Sequence, residues 1–262
     1  MKKVIFSILL ASFYNIAFAQ KDTIPVVAKY SAVMIPMRDG VKLYTVIRSP
    51  VDITNPQPIY LNRTPYGAIS IPPDSVVRSK QKGFIGFYIS QDIRGRWKSE
   101  GRKQLHQPVI HTTEKGAVDE STDTWDTIDW LIKNLKGHNG RIGMFGTSYG
   151  GWLTLAGAID PHPALKAVIE HAGMADLWLG DDFYHNGAFR LSYGFEYTFM
   201  MEADSNFNFG NSDLYDWYFK LGSLKNVNDK YLYNSIPAWN EFVNHPNYDS
   251  FWKKNSPLSY MP

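Results

Sequence analysis

The pattern Gly146-Thr147-Ser148-Tyr149-Gly150 sits between two apolar runs, RIGMF before it and GGWLTLAGAI after it. By composition alone, G-x-S-x-G arises in roughly one chain in ten of this size, so the flanks decide its meaning. A strand that runs into the pattern and a helix that leaves it force the serine onto a strained strand-to-helix turn, with its hydroxyl exposed. Glycines beside it remove side chains that would clash at so sharp a bend. The competing reading is a Gly-rich turn whose serine caps the helix. The apolar flanks favour the nucleophile. A serine hydroxyl becomes nucleophilic only when a histidine takes its proton. The oxyanion then formed needs preorganised donors. The backbone N–H of Tyr149 is one donor by the geometry of the turn, and a second is expected from the loop after an early strand.

The rest of the chain supplies the sheet that such a turn requires. TIPVVAKYSAVMIPMRDGVKLYTVIRSP reads as two strands around Arg38-Asp39-Gly40. QPIYLNRTPYG is a strand entering a Pro/Gly loop, PDSVVRSKQKG a short helix ending at Gly83, and FIGFYISQDIRG a strand entering a charged loop. A polar stretch from Arg94 to Glu120 reads as loop. Trp125, Ile128, Ile132 and Leu135 then recur at helical spacing, with acids before them, Lys133 and Lys136 near the end, and Gly137 after. RIGMFG and ALKAVIEHAG are strands, and the helix between them stops before Pro161. Alternating strands and helices predict an α/β fold with a mostly parallel sheet and helices on both faces. From about residue 174 the chain turns aromatic and Asn/Asp-rich, which predicts a cap over the sheet whose rings mainly pack on one another.

The N-terminus carries Lys2 and Lys3, an apolar stretch from Val4 to Phe18, and Ala17-Phe18-Ala19. That is the layout of a signal peptide cleaved after Ala19, and it predicts a periplasmic or secreted product with no membrane association afterwards. The chain has no cysteine, which excludes a thiol nucleophile or a Cys-ligated metal. His111 and Glu114 in HTTE form a lone pair, so no metal and no cofactor are expected. A net charge of +2 over 262 residues gives no reason to expect a nucleic-acid partner.

Several segments together resemble the serine hydrolases that group X-Pro dipeptidyl-peptidases, cocaine esterase, α-amino acid ester hydrolases and glutaryl-7-aminocephalosporanic acid acylase-like proteins. They are MRDGVKLYTVIRSP, NRTPYG, QDIRGRWKSEG, DTWDTIDWLIKN, GRIGMFGTSYGG and GDDFYHNGAFR, in that order. HPNYDSFWKKNSPL extends the likeness more loosely. The resemblance implies an α/β-hydrolase fold, with Ser148 as the acylated nucleophile and the Tyr66 hydroxyl as second oxyanion donor. It matches Asp182, next to Asp181, to a carboxylate that binds a substrate's α-ammonium group. The mixed charges Asp92, Arg94, Arg96 and Glu100 read as a salt-bridged support for the active-site face.

In this fold the acid and the histidine follow the serine along the chain. The family pattern places them after the cap, and this sequence ends in FWKKNSPLSYMP, where the cap returns to the sheet. His162, His171, His185 and His245 follow Ser148, and none is expected to be the base; His171, ending the neighbouring strand, is the nearest. The expected organisation is a signal peptide at 1–19, the N-terminal part of the hydrolase domain at 20–173, and a cap at 174–262 that ends before the triad acid and base. The expected substrate is a small ester, amide or short peptide. An α-amino acid ester hydrolase or β-lactam acylase is favoured over an X-Pro dipeptidyl-peptidase. Another class remains open: a non-catalytic remnant that keeps an aromatic cleft. A fragment of this kind is expected to show little activity alone, unless a separate chain supplies the rest.

Overall fold

The computed structural model describes residues 26–72, 74–79, 85–102, 104–110, 114–180, 182–203 and 205–261. The expected signal peptide (1–19), His111 and Asp181 lie outside these residues. Among the described residues, seven strands form one sheet in the order β4-β1-β2-β5-β3-β6-β7. β1 (Val26–Pro36) and β2 (Lys42–Pro50) pair antiparallel around the turn at Arg38-Asp39-Gly40. Gly40 takes φ 88° there, a conformation open to glycine at little cost. β3 (Gln57–Thr64), β5 (Phe87–Asp92), β6 (His138–Thr147) and β7 (Leu165–His171) make the parallel half.

β4 (Val76–Ser79) corrects the helix expected over PDSVVRSKQKG. It pairs antiparallel with the start of β1. Two adjacent valines on a free strand edge favour extended backbone over a short helix, and the partner strand supplies the hydrogen bonds.

α1 (Glu120–Asn134) and α2 (Tyr149–Gly157) pack against each other on one face of the sheet. Ile59, Leu61, Ile89, Ile142 and Met144 from the strands meet Ile128, Leu131, Trp152 and Leu153 from the helices. The other face carries Tyr60, Tyr88 and Phe145, half-buried, with the Tyr88 ring centroid 5.1 Å from Tyr60 and 6.4 Å from Phe145. On α1, Trp125 turns outward and packs on His162 and Arg38. Its first turn instead buries Glu120, Ser121, Thr122, Asp123 and Thr124.

Beyond β7, the hairpin β8 (Tyr184–His185) and β9 (Ala188–Phe189) leads into α3 (Leu191–Ala203), α4 (Leu214–Leu221), the single turn α5 (Lys225–Val227), α6 (Pro237–Asn244) and α7 (Ser250–Asn255). The rings of this region pack on one another, as expected. Phe195 and Trp217 stack 5.8 Å apart, and Trp239 meets Phe195 edge-on at 5.5 Å. Phe195, Trp239 and Trp252 are fully buried. The C-terminal ends of β3, β5, β6 and β7 point to one edge of the sheet, where α/β proteins place their ligands.

Candidate active site

At the end of β6 the backbone of Ser148 adopts φ 59°, ψ −125°, sparsely populated for a residue with a side chain. Ser148 occupies the cap position of α2, yet its hydroxyl makes no capping bond. The side chain is therefore not spent on the helix, as the capping reading required. The strain is held from several sides. Ser148 N donates to His171 O at 2.9 Å, and Trp152 N donates to Ser148 O at 3.0 Å. A side chain at Gly146 would overlap the Gly150 carbonyl, and one at Gly151 would press on Gly173. Gly150, the last residue of the G-x-S-x-G pattern, faces only ordinary contacts, the nearest at 3.5 Å. The glycine that lets the helix approach β7 thus lies one residue beyond the pattern. Tyr149 N–H opens α2 and belongs to the first-turn donors that have no intrahelical acceptor.

Tyr66 reaches the same place from β3. Its hydroxyl lies 3.5 Å from Ser148 Oγ and 3.1 Å from the Tyr197 hydroxyl on α3. Both sides of its backbone are fixed. Tyr66 N donates to Thr64 Oγ1, and the Pro65 carbonyl accepts from Arg96 Nε and Trp97 Nε1 at 3.1 and 2.8 Å. Ala68 N donates to Asp92, and Arg96 Nη1 ties the loop to the Met201 carbonyl of α3. Burial pushes the Asp92 carboxyl up, against the pull of the N–H groups of Ala68 and Lys98. The charged loop supports this face, but mostly not through salt bridges among its own residues. Arg94 pairs with Asp39 and Asp123, Arg96 holds carbonyls, and Glu100 accepts from Lys42 N.

Beneath Tyr66 lies a polar core that residue patterns did not reveal. Arg63, fully buried, donates to Gln91 at 2.8 Å, to Glu120 O at 2.8 Å and to Thr124 Oγ1 at 2.9 Å. It sits 2.9 Å from the Glu120 carboxylate. Burial raises the Glu120 carboxyl to about 7 despite Arg63 beside it. The sequence signal available was an Asp-Glu-Ser-Thr-Asp-Thr run opening an apolar helix, with an arginine at the end of a strand.

A second missed residue stands behind the elbow. The buried ring of His106 stacks on Tyr149 at 4.4 Å, and its backbone N donates to the Tyr149 hydroxyl at 2.8 Å. Neither ring nitrogen has a hydrogen-bond partner among the described residues, and burial pushes its pKa down to about 3.

Asp182 lies half-buried just before β8, its carbonyl accepting from Arg190 at 3.3 Å. Tyr193 links it to the serine side. Burial raises the Tyr193 hydroxyl to about 12, with Asp182 and then Tyr66 adding to the effect. Tyr193 also stacks on Tyr197 at 5.3 Å. Two clefts, of about 520 and 400 Å³, open beside Tyr66 and share Trp97 as a wall. Trp97 is 64% exposed.

Among the described residues Ser148 Oγ has no histidine partner; its side-chain contact is Tyr66. His171 lies beside Thr147 in the β6–β7 register and uses its carbonyl to hold Ser148 N. His162 faces Asp129 and Trp125, and His245 sits between Glu241 and Asp249. His185 is exposed on the β8–β9 hairpin beside Asn186.

The family model described as X-Pro dipeptidyl-peptidase (S15 family) matches residues 39–261. Cocaine esterase from Rhodococcus sp. (strain MB1 Bresler) is 33% identical over 151 residues, covering 56% of this chain and 24% of the esterase. An aminopeptidase from the marine sediment archaeon Thaumarchaeota archaeon is 36% identical with a TM-score of 0.78, over 88% of this chain and 40% of its own. An α-amino acid ester hydrolase is 32% identical with a TM-score of 0.77, over 96% of this chain and 43% of its own. The chain spans less than half the length of each of these relatives.

Proposed function

The chain belongs to the X-Pro dipeptidyl-peptidase (S15) family, and on that premise we propose that it carries the nucleophile and oxyanion hole of an exported serine hydrolase. Ser148 Oγ attacks an ester or amide carbonyl while a base takes its proton. The new C–O bond pushes the carbonyl electrons onto oxygen, which Tyr149 N–H and Tyr66 O–H receive. The tetrahedral intermediate expels the alcohol or amine, and water then releases the acyl group from Ser148. The observation that carries this reading is an uncapped serine at positive φ, 3.5 Å from a fixed tyrosine hydroxyl. The triad acid and base are proposed to lie outside these 262 residues. The division into a signal peptide (1–19), the start of a hydrolase domain (20–173) and a cap (174–262) belongs to the same proposal.

Asp182 is proposed to hold a substrate's α-ammonium group, and α-amino acid esters and β-lactam amides are proposed as substrates ahead of X-Pro peptides. The solved relative named an α-amino acid ester hydrolase, matched over 96% of this chain, supports that choice. The intact protein should hydrolyse α-amino acid esters, and Ser148→Ala should abolish turnover. Turnover retained in Ser148→Ala refutes the mechanism. Asp182→Asn should raise KM for α-amino substrates and leave their desamino analogues unaffected.

The lack of a histidine partner for Ser148 among the described residues favours one alternative for these 262 residues alone, a non-catalytic module. A fluorophosphonate probe separates the readings. Labelling of Ser148 in this chain excludes the module, and failure to label Ser148 in the intact protein supports it.

A further inference from the structure

The Tyr197 hydroxyl, on α3, has a single hydrogen-bond partner among the described residues, the Tyr66 hydroxyl at 3.1 Å. A phenol carries one proton and can accept as well as donate. Two arrangements satisfy the distance. If Tyr66 donates to Tyr197, the Tyr197 proton is left in a half-buried place with no acceptor among the described residues, which forfeits a hydrogen bond. Tyr66 would then also have turned its proton away from Ser148. If Tyr197 donates to Tyr66, the Tyr197 proton is placed. The Tyr66 oxygen has then accepted on the α3 side, and its own proton is left to point toward Ser148 Oγ, 3.5 Å away. Tyr66 is 45% exposed, so water serves it in either case; the less exposed Tyr197 decides.

We propose that Tyr197 is a positioning residue for the oxyanion hole, donating its hydroxyl proton to Tyr66 so that the Tyr66 proton points at the oxygen developing beside Ser148. The ring is held for this task. It stacks on Tyr193 one helical turn earlier at 5.3 Å and 12°, and it lies 6.4 Å from Phe183. Arg96 locks α3 to the Tyr66 loop, bonding the Met201 carbonyl on one side and the Pro65 carbonyl on the other. Burial, reinforced by Tyr66, drives the Tyr197 hydroxyl far above the ordinary tyrosine range, so it stays protonated as a donor. A donor chain also strengthens each member by polarisation.

The inference rests on the proposed role of Tyr66, and a double-mutant cycle on the intact protein separates the two. Tyr66→Phe should lower kcat by on the order of 10²–10³. Tyr197→Phe keeps the stacked ring and should lower kcat roughly three- to tenfold with KM and the melting temperature unchanged. The double variant should equal Tyr66→Phe alone, because Tyr197 acts only through that hydroxyl. Unchanged kcat in Tyr197→Phe while Tyr66→Phe is impaired overturns the inference and leaves the role of Tyr66 standing, as do effects that multiply. Unchanged kcat in Tyr66→Phe overturns both. Neutron diffraction of the deuterated protein gives a reading independent of turnover. Tyr197 deuterium between the two oxygens supports the inference, and Tyr66 deuterium there overturns it.

Discussion

Three neighbouring glycines offer a test of what shapes the elbow. A Cβ at Gly146 would sit 2.1 Å from Gly150 O and 2.3 Å from Gly150 C. That is 0.9 Å inside the 3.0 Å that real Cβ contacts respect, and the obstacle is backbone rather than a flexible side chain. Alanine there must push the first turn of α2 aside and with it the strained Ser148, at a cost of about 3 kcal/mol or more. At Gly151 a Cβ would meet Gly173 Cα at 2.9 Å and His171 O at 3.1 Å. The spacing between α2 and the exit of β7 must widen by a few tenths of an ångström, costing about 1–2 kcal/mol. At Gly150 the nearest atoms are Arg63 O at 3.5 Å and Asn62 Nδ2 at 3.9 Å, and the backbone is not left-handed. Alanine fits there and removes freedom from the unfolded chain, a gain of about 0.5–1 kcal/mol. Urea unfolding of the three alanine variants should therefore rank Gly150→Ala at or above the parent, Gly151→Ala below it, and Gly146→Ala lowest. If Gly150→Ala were as damaging as Gly146→Ala, the steric account of the elbow would be wrong.

Arg63→Met should destabilise the protein by about 3–5 kcal/mol at pH 8, because it strands the Glu120 carboxylate in the core; adding Glu120→Gln should recover part of the loss, and urea midpoints for the single and double variants check it. His106 predicts an acid sensitivity: with its pKa near 3 folded and 6.5 unfolded, the unfolded chain binds the extra proton, so stability falls as pH drops below about 6.5. His106→Phe keeps a ring against Tyr149 and should remove about 2 kcal/mol of the stability lost between pH 7 and 5, measured as the pH dependence of the difference from the parent. Glu120 works in the opposite sense, losing stability as pH rises from its ordinary value toward 7, and it cancels in that difference.

What the sequence disclosed follows physical lines. Strands β1, β2, β3, β5, β6 and β7 and helices α1 and α2 announce themselves through apolar runs and punctuation, even β7, whose side chains are mostly exposed. β4 did not, since a four-residue edge strand has little period and its state is decided by the partner at the start of β1. Ser148 was legible because the elbow is a local motif. Tyr66 needed a resemblance, because a loop tyrosine has no local signature. Tyr197 and His106 were not legible at all. Their contacts with Tyr66 and Tyr149 span 131 and 43 residues, which no window along the chain can register.

The polar core gives a reason for an arrangement that packing alone would not select. Apolar residues of similar volume in place of Arg63, Gln91, Glu120 and Asp123 would be about as stable, since buried ions repay little more than their desolvation. What they would not do is fix direction. Arg63 bonds Gln91 on β5 and Glu120 and Thr124 on α1, so it sets the last residues of β3 against both neighbours. Arg94 and Asp123 do the same for the loop after β5. Thr64, Pro65 and Tyr66 come next along the chain from Arg63, and the loop from Arg94 supplies the Arg96 and Trp97 that grip the Pro65 carbonyl. The Tyr66 hydroxyl, proposed as an oxyanion donor beside Ser148, is thus referenced to two strands and a helix through directional bonds, where a greasy core would let the loop slide. The same logic distinguishes the two predicted failures. Arg63→Met paired with Glu120→Gln should regain stability, yet kcat should stay depressed, because the partner that orients the end of β3 is still missing.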